Sequence, residues 1–305
     1  MKELLKYFSE KIRECLESEI VDEKNLEEIR LRVNRPIILK YNQQEKMLSY
    51  TVKTEDILET LEHICENSIY AYQKQIASGY ITIKGGHRIG IAGNVVMEGE
   101  KAVHIKYISS LNFRIARQMI GCSKEFLPYI LEENKVQNTL IVSPPGAGKT
   151  TILRDIVRTL SNGTNAYLGR NIGVVDERGE IAASYKGIPQ NDMGIRTDVL
   201  NDVSKALGMK MLVRAMAPEV IIADEIGCIE DIEAIKYAIC SGVAGIFTAH
   251  GGSLKDLTLN PALDTLISSN VIEKIIFLQG IGKRGKIEKV YFLNKNRKEY
   301  MLQES

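Results

Sequence analysis

With 305 residues, 44% hydrophobic and 26% charged, the chain is longer than one typical domain and can bury a full core. Forty basic residues against 39 acidic ones leave a net charge of +1, which argues against a nucleic-acid coat or a polyanion binder and leaves room only for a local basic groove. No run approaches the ~20 apolar residues that span a bilayer, and the five scattered cysteines, without a CxxC pair and with only four histidines beside them, read as reduced core residues of a cytosolic protein rather than disulfides or a zinc site.

The opening stretch MKELLKYFSEKIRECLESEI places Leu4, Leu5, Phe8, Ile12 and Leu16 at helical spacing among Glu and Lys. That pattern predicts an amphipathic helix over residues 4–19, packed on its own domain. It has neither the continuous apolar core of a signal peptide nor a cation-dominated face for membranes. Alternating runs predict strands at 28–33, 36–41, 80–84, 87–95 and 103–108, with Gly85-Gly86 as a hairpin turn. A helix is expected over 54–77, with Thr54 as N-cap and Glu55 and Asp56 in its first turn. Residues 1–118 therefore read as a smaller α+β domain. A linker is expected near 117–122 and a helix over 123–134 at the entrance to the second domain, 119–305.

From Asn138 the order changes to strand, helix, strand, helix, the signature of an α/β fold whose mostly parallel sheet carries helices on both faces. Its strands are placed at 139–142, 172–175, 220–223 and 245–248. Runs at 272–279 and 287–293 flank Gly280-Ile-Gly-Lys-Arg-Gly285 as an antiparallel hairpin at the sheet edge.

The first of these strands runs into Ser143-Pro144-Pro145-Gly146-Ala147-Gly148-Lys149-Thr150-Thr151, a phosphate-binding loop at a strand-to-helix junction. Small residues let backbone N–H groups curl around a β-phosphate, Lys149 bridges the β- and γ-phosphates of ATP, Thr150 reaches Mg²⁺, and the helix N-terminus faces the anion. The first glycine of the pattern is replaced by Ser143, and the two prolines fix φ without removing amides needed from Gly146 onward. An ordinary strand-to-helix turn is the plainer alternative, and the strand before and helix after weigh against it.

Two further apolar strands end in acids, where a parallel sheet gathers ligands. Val220-Ile-Ile-Ala223 delivers Asp224-Glu225, with Asp224 a candidate for Mg²⁺ and Glu225 for orienting or deprotonating water. Gly173-Val-Val175 delivers Asp176-Glu177-Arg178-Gly179-Glu180. A helix cap and a solvated turn are the bland readings of these two clusters. A third strand ends in Thr248 and His250 followed by glycines, a position suited to sensing a γ-phosphate.

Taken in order, the phosphate loop, the acidic box, Arg214-Ala-Met-Ala-Pro218 leading to Asp224-Glu-Ile-Gly227, and the His250 box resemble the secretion ATPase superfamily of type II and type IV systems over most of residues 110–255. The Asp224-Glu225 pair departs from the usual Gly-Glu of those motors. Gly79 to Gly93 and Ile108 to Arg117 narrow the likeness to a sporulation branch found in endospore-forming bacteria. The resemblance implies a RecA-like P-loop ATPase core, a homohexameric ring with MgATP between subunits, and Arg114 or Arg117 near the nucleotide, with Arg196 and Arg214 as further candidates. An arginine there contributes ~10³ to 10⁵ in rate. Solvent-facing positions are the alternative for Arg114 and Arg117. The superfamily assigns the catalytic acid to the box around Glu177, whereas Asp224-Glu225 looks like the ordinary P-loop arrangement, and both stay open. The branch further implies a cytoplasmic mother-cell ATPase, peripheral to the membrane through partner membrane proteins of a channel complex around the forespore. A nucleotide-gated scaffold with little turnover and a nucleic-acid motor are the competing classes, the latter disfavoured by the balanced charge.

Overall fold

A computed structural model describes residues 2–42, 44–280 and 285–303. The chain forms two compact units, 1–117 and 118–305. In the first, α1 (Lys2–Leu5) and α2 (Glu10–Glu19) precede β1 (Leu26–Arg32), β2 (Pro36–Tyr41) and β3 (Gln44–Thr51). Then come α3 (Thr54–Ile64), a 3₁₀ turn (Ile69–Tyr72), α4 (Gln73–Ala77), β4 (Tyr80–Thr82), β5 (Arg88–Glu98) and β6 (Lys101–Arg114). The strands make one antiparallel sheet in the order β3-β2-β1-β6-β5-β4. Its buried face, with Ile29, Leu31, Ile89, Ile91, Leu111 and Phe113, packs on Phe8, Ile12 and Leu16, and the Phe8 and Phe113 rings lie 4.2 Å apart.

All five apolar positions read from the opening stretch are buried, but the helix is broken at Ser9. Ser9 N donates to Thr60 Oγ1 and its hydroxyl to Asp56, which ties the start of α2 to α3. The helix expected over 54–77 stops at Ile64 because Glu66 and Asn67 take positive φ of 50° and 60°. Lys53 rather than Thr54 is its N-cap, its amide donating to Asp56 Oδ2 at 2.8 Å. Strand β3 escapes the sequence reading because all but Leu48 and Tyr50 are exposed, leaving little alternation to detect.

The second unit runs α5 (Leu127–Ile130), β7 (Leu131–Glu132), β8 (Lys135–Val136), β9 (Thr139–Ser143), α6 (Lys149–Asn162), β10 (Ile172–Asp176), β11 (Thr197–Asn201) and α7 (Lys205–Met216). It continues with β12 (Val220–Ala223), α8 (Ile229–Cys240), β13 (Ala244–His250), α9 (Leu254–Leu259), α10 (Pro261–Ser268), β14 (Lys274–Leu278), β15 (Ile287–Asn294) and β16 (Glu299–Leu302). Eight strands form one sheet, β11-β10-β12-β13-β9-β14-β15-β16, parallel from β11 to β14 and antiparallel thereafter. The continuous apolar runs are buried on both sides, as a helix-covered parallel sheet requires. Leu140, Val142, Ile221, Ala223, Phe247 and Ala249 pack toward α7, α8 and α10, while Ile141, Ile222 and Ile246 pack toward α6 and α5. This is the expected RecA-like arrangement, with helices on both faces of a mostly parallel sheet.

Instead of one helix over 123–134 there is the short α5 and a β7–β8 hairpin. Glu133 and Asn134 take positive φ at its two-residue turn, a conformation that closes strands rather than continuing a helix. The 272–293 hairpin pairs as expected, but β16 lies outside it and forms the sheet edge. Of its loop, residues 281–284 lie outside the described residues. Only Cys65 is a buried core cysteine, and Cys228 and Cys240 are exposed. Among the described residues no helix is long and apolar enough to cross a membrane.

Candidate functional site

Because β9, β13, β12 and β10 are adjacent and parallel, the loops leaving their C-terminal ends meet at one rim of the sheet. β9 ends at the buried Ser143. Pro144, Pro145, Gly146, Ala147 and Gly148 then turn into α6, with φ of 76° at Gly146 and 95° at Gly148, a region that favours glycine. Ser143 needs no left-handed backbone, so the missing first glycine leaves the turn intact. Its oxygens are used instead: Lys149 Nζ donates to Ser143 O at 3.0 Å and Oγ at 3.2 Å, and to Pro144 O at 3.4 Å. Helix α6 begins without a side-chain cap, and Thr150 and Thr151 stand in its first turn, where amides are available to an anion.

Four buried apolar residues make up β12, so its polar successors emerge at this rim. Thr150 Oγ1 donates to Asp224 Oδ2 at 2.5 Å. Thr248, fully buried on β13, donates its hydroxyl to Asp224 Oδ1 and accepts the Glu225 N–H at 2.8 Å. The Glu225 carboxylate pairs with Arg178, and its Oε1 lies 3.1 Å from His250 Nε2. His250 Nδ1 is 3.2 Å from Lys149 Nζ. An ammonium only donates, so Nδ1 accepts and the ring proton sits on Nε2, directed at Glu225. A closed circuit thus runs from Lys149 through His250, Glu225, Thr248 and Asp224 to Thr150. Burial lowers the pKa of the Lys149 ammonium, and the nearby carboxylates of Asp224 and Glu225 oppose that shift.

The second acidic strand end is built differently. Asp176 is buried and accepts the amides of Glu180 (2.8 Å), Ile181 (3.1 Å) and Ala182 (2.8 Å), which folds the acidic box back over its carboxylate. Burial raises its pKa against those bonds. Glu177 pairs with Lys205 at the start of α7. A crevice between the two strand ends is lined by Glu177, Arg178, Lys205, Asp224 and Glu225. The donors here suit a nucleotide and its metal. Space is open around Gly146, where an added Cβ would meet nothing within 4 Å. Thr150 and Asp224 offer two hard oxygens of the kind Mg²⁺ takes alongside substrate phosphates. No group of three or more His, Cys, Asp or Glu among the described residues could hold a metal unaided.

The sequence profile described as Sporulation stage III, protein AA matches residues 1–298. The chain belongs to that family. It is 40% identical over 293 residues, 95% of each chain, to the stage III sporulation protein AA of Bacillus subtilis (strain 168). Among solved structures it is similar to the ATPase DotB of Legionella pneumophila, with a TM-score of 0.58 and 14% identity, covering 89% of this chain and 78% of that one. It is similar, too, to the pilus retraction motor PilT with bound ADP, with a TM-score of 0.58 and 15% identity over 97% and 83% of the two chains. At such identities the likeness is one of fold.

In this member of the sporulation protein AA family, two of the arginines singled out from sequence, Arg196 and Arg214, lie elsewhere in the second unit. Arg196 Nη1 donates to Ser161 O near the end of α6, roughly 18 Å along the helix from Lys149 at 1.5 Å per residue. Arg214 sits in the last turn of α7 against the Tyr237 ring, at the opposite end from Lys205. Neither adjoins this chain's own 143–151 loop. Arg114 and Arg117 belong to the first unit, Arg114 in register with Glu28 and Arg88, and Arg117 donating to Leu26 O at 2.7 Å. Sequence reasoning missed Arg154, whose guanidinium donates to Ile181 O and Glu180 O and so fastens the acidic box to α6. Its i,i+4 spacing from Thr150 puts it on the same helix face and was the available signal. Lys205 was missed because strand β11, which delivers it, was not foreseen.

Proposed function

We propose that the chain binds MgATP at Ser143 to Thr151 and hydrolyses it, as a secretion-type ATPase that energises or assembles a channel complex between mother cell and forespore. The observation that carries this reading is the closed circuit joining the phosphate loop to Asp224, Glu225, Thr248 and His250.

Amides of the loop and the first turn of α6 grip the β-phosphate, and Lys149 exchanges its carbonyl partners for phosphate oxygens. Thr150 and Asp224 would hold Mg²⁺, which when bound neutralises charge on the β- and γ-phosphates. Glu225 orients the attacking water. It stands one hydrogen bond from His250 and two from Lys149, whereas Glu177 pairs with Lys205 at the start of α7. His250 senses the γ-phosphate by linking those two groups. A homohexameric ring, with an arginine of the first unit completing a neighbour's site, and membrane-protein partners that recruit a cytoplasmic protein to the membrane surface, belong to the same reading.

The test is hydrolysis and equilibrium binding of MgATP by the purified full chain and its Lys149→Ala variant. Losing a charge-assisted contact worth about 1.5–3 kcal/mol should weaken binding at least tenfold and abolish measurable turnover. Wild-type hydrolysis rates in Lys149→Ala would remove the proposal.

A further inference from the structure

We propose that Thr248 is a positioning residue that fixes Glu225 for water activation by clamping its main chain, an inference that rests on the hydrolysis reading above. Glu225 has a φ of 53°, in the left-handed region that a non-glycine residue adopts only when its surroundings impose it. Those surroundings are two bonds to one residue of the neighbouring strand. Thr248 Oγ1 accepts the Glu225 N–H at 2.8 Å, and Thr248 O accepts the Ile226 N–H at 2.9 Å.

Hydrogen-bond polarity at the hydroxyl is fully determined. A backbone N–H only donates and a carboxylate only accepts, so the one hydroxyl proton goes to Asp224 Oδ1 and a lone pair receives Glu225. One oxygen thereby fixes the metal-side acid and the water-side acid relative to each other. Thr248 itself cannot drift, because it is fully buried and held in the β13–β9 ladder opposite Ile141. With the hydroxyl gone, the Glu225 amide loses this acceptor and the left-handed turn loses one of its two clips. The side chain of Glu225 would then swing away from the Lys149–His250 arm of the circuit.

The clamp predicts that the shape of threonine is insufficient and that the oxygen is required. Thr248→Val preserves shape and removes the oxygen; Thr248→Ser keeps the oxygen. Two readouts on the full chain separate the clamp from its consequence. The first is amide hydrogen exchange at Glu225, which does not depend on activity. It should quicken by about tenfold or more in Thr248→Val and stay near wild type in Thr248→Ser. The second is single-turnover hydrolysis beside MgATP affinity. Thr248→Val should slow hydrolysis by about 10²-fold with affinity within about threefold, and Thr248→Ser should recover most of the rate.

Unchanged exchange in Thr248→Val overturns the inference, and so does faster exchange with wild-type hydrolysis. Equal losses in the serine and valine variants overturn it too, because packing rather than the oxygen would then be responsible. A wild-type chain that binds no MgATP or fails to hydrolyse it sinks the parent reading and the positioning role together, while the exchange measurement still reports whether the clamp exists.

Discussion

β10 and β12 are neighbouring parallel strands in register, Val175 opposite Ala223, and each runs out of apolar residues at an Asp-Glu pair. The same dipeptide is used in two ways. After Asp176 the chain doubles back through Gly179, with a φ of 65°, and lays three of its own amides on the carboxylate. After Asp224 it is drawn open by contacts to Thr248, so both acids face side chains from other elements: Thr150 from α6, Thr248 and His250 from β13, Arg178 from the acidic box. One aspartate is consumed in building its loop and the other is presented to hydroxyls of α6 and β13. A strand-end acid is therefore assigned its task by what its lone pairs accept.

The sharpest way to break this comparison is to neutralise the two glutamates. Glu225→Gln should retain MgATP binding and lose turnover by about 10²- to 10³-fold, whereas Glu177→Gln should change turnover by less than about tenfold. Steady-state hydrolysis beside a binding titration decides it, and the opposite pattern would reassign the water to the acidic box. Next in size is the contrast between the aspartates, read as stability. Asp176→Ala leaves three amides without their acceptor and should destabilise the chain by about 2–4 kcal/mol. Asp224→Ala removes the partner of two hydroxyls rather than of three amides, and should cost less, on the order of 1 kcal/mol, while weakening the magnesium dependence of nucleotide binding. Denaturation curves for the two variants with similar midpoints would mean that Asp176 is no more structural than Asp224.

The contrast between the strand ends also marks how far sequence reading reaches. The parallel sheet, the glycine turn from β9 into α6 and the polar ends of β12 and β13 were legible because buried strands are unbroken apolar runs and their first polar successors have nowhere to go but the rim. That Asp176 turns inward was not legible, since its donors are the amides of residues 180–182, and amides carry no sequence signal. Lys205 and Arg154 were missed for another reason: each acts through tertiary placement, one by way of the polar strand β11 and the other by helix phase. In the first unit the apolar positions 4, 5, 8, 12 and 16 were read correctly, but the break at Ser9 depends on Thr60 and Asp56, some fifty residues away. Helix ends set by positive φ at Glu66 and Asn67 were likewise invisible to periodicity.

A half-buried acceptor spent on its own unit's main chain also occurs in the first unit, where it yields a pH test. His87, beside the Gly85-Gly86 turn, accepts the Ala116 N–H on Nδ1 at 3.1 Å. A protonated imidazole has no lone pair to accept with, so this bond requires the neutral ring. Burial already holds its pKa below the ordinary value of 6.5. The unfolded chain therefore binds the proton more readily than the folded one. Protonation of His87 costs nothing well above pH 6.5 and erodes stability as the pH falls below 6.5 toward the lower folded value. Stability should therefore be lower at pH 5.5 than at pH 7.5. In His87→Asn an amide oxygen can replace Nδ1 as acceptor and nothing titrates, so its stability should change less over that interval. Urea denaturation of both proteins at the two pH values gives the answer, because the other three histidines contribute equally to each and cancel in the difference. Parallel acid slopes would show that the His87 acceptor bond is not what couples this unit to protons.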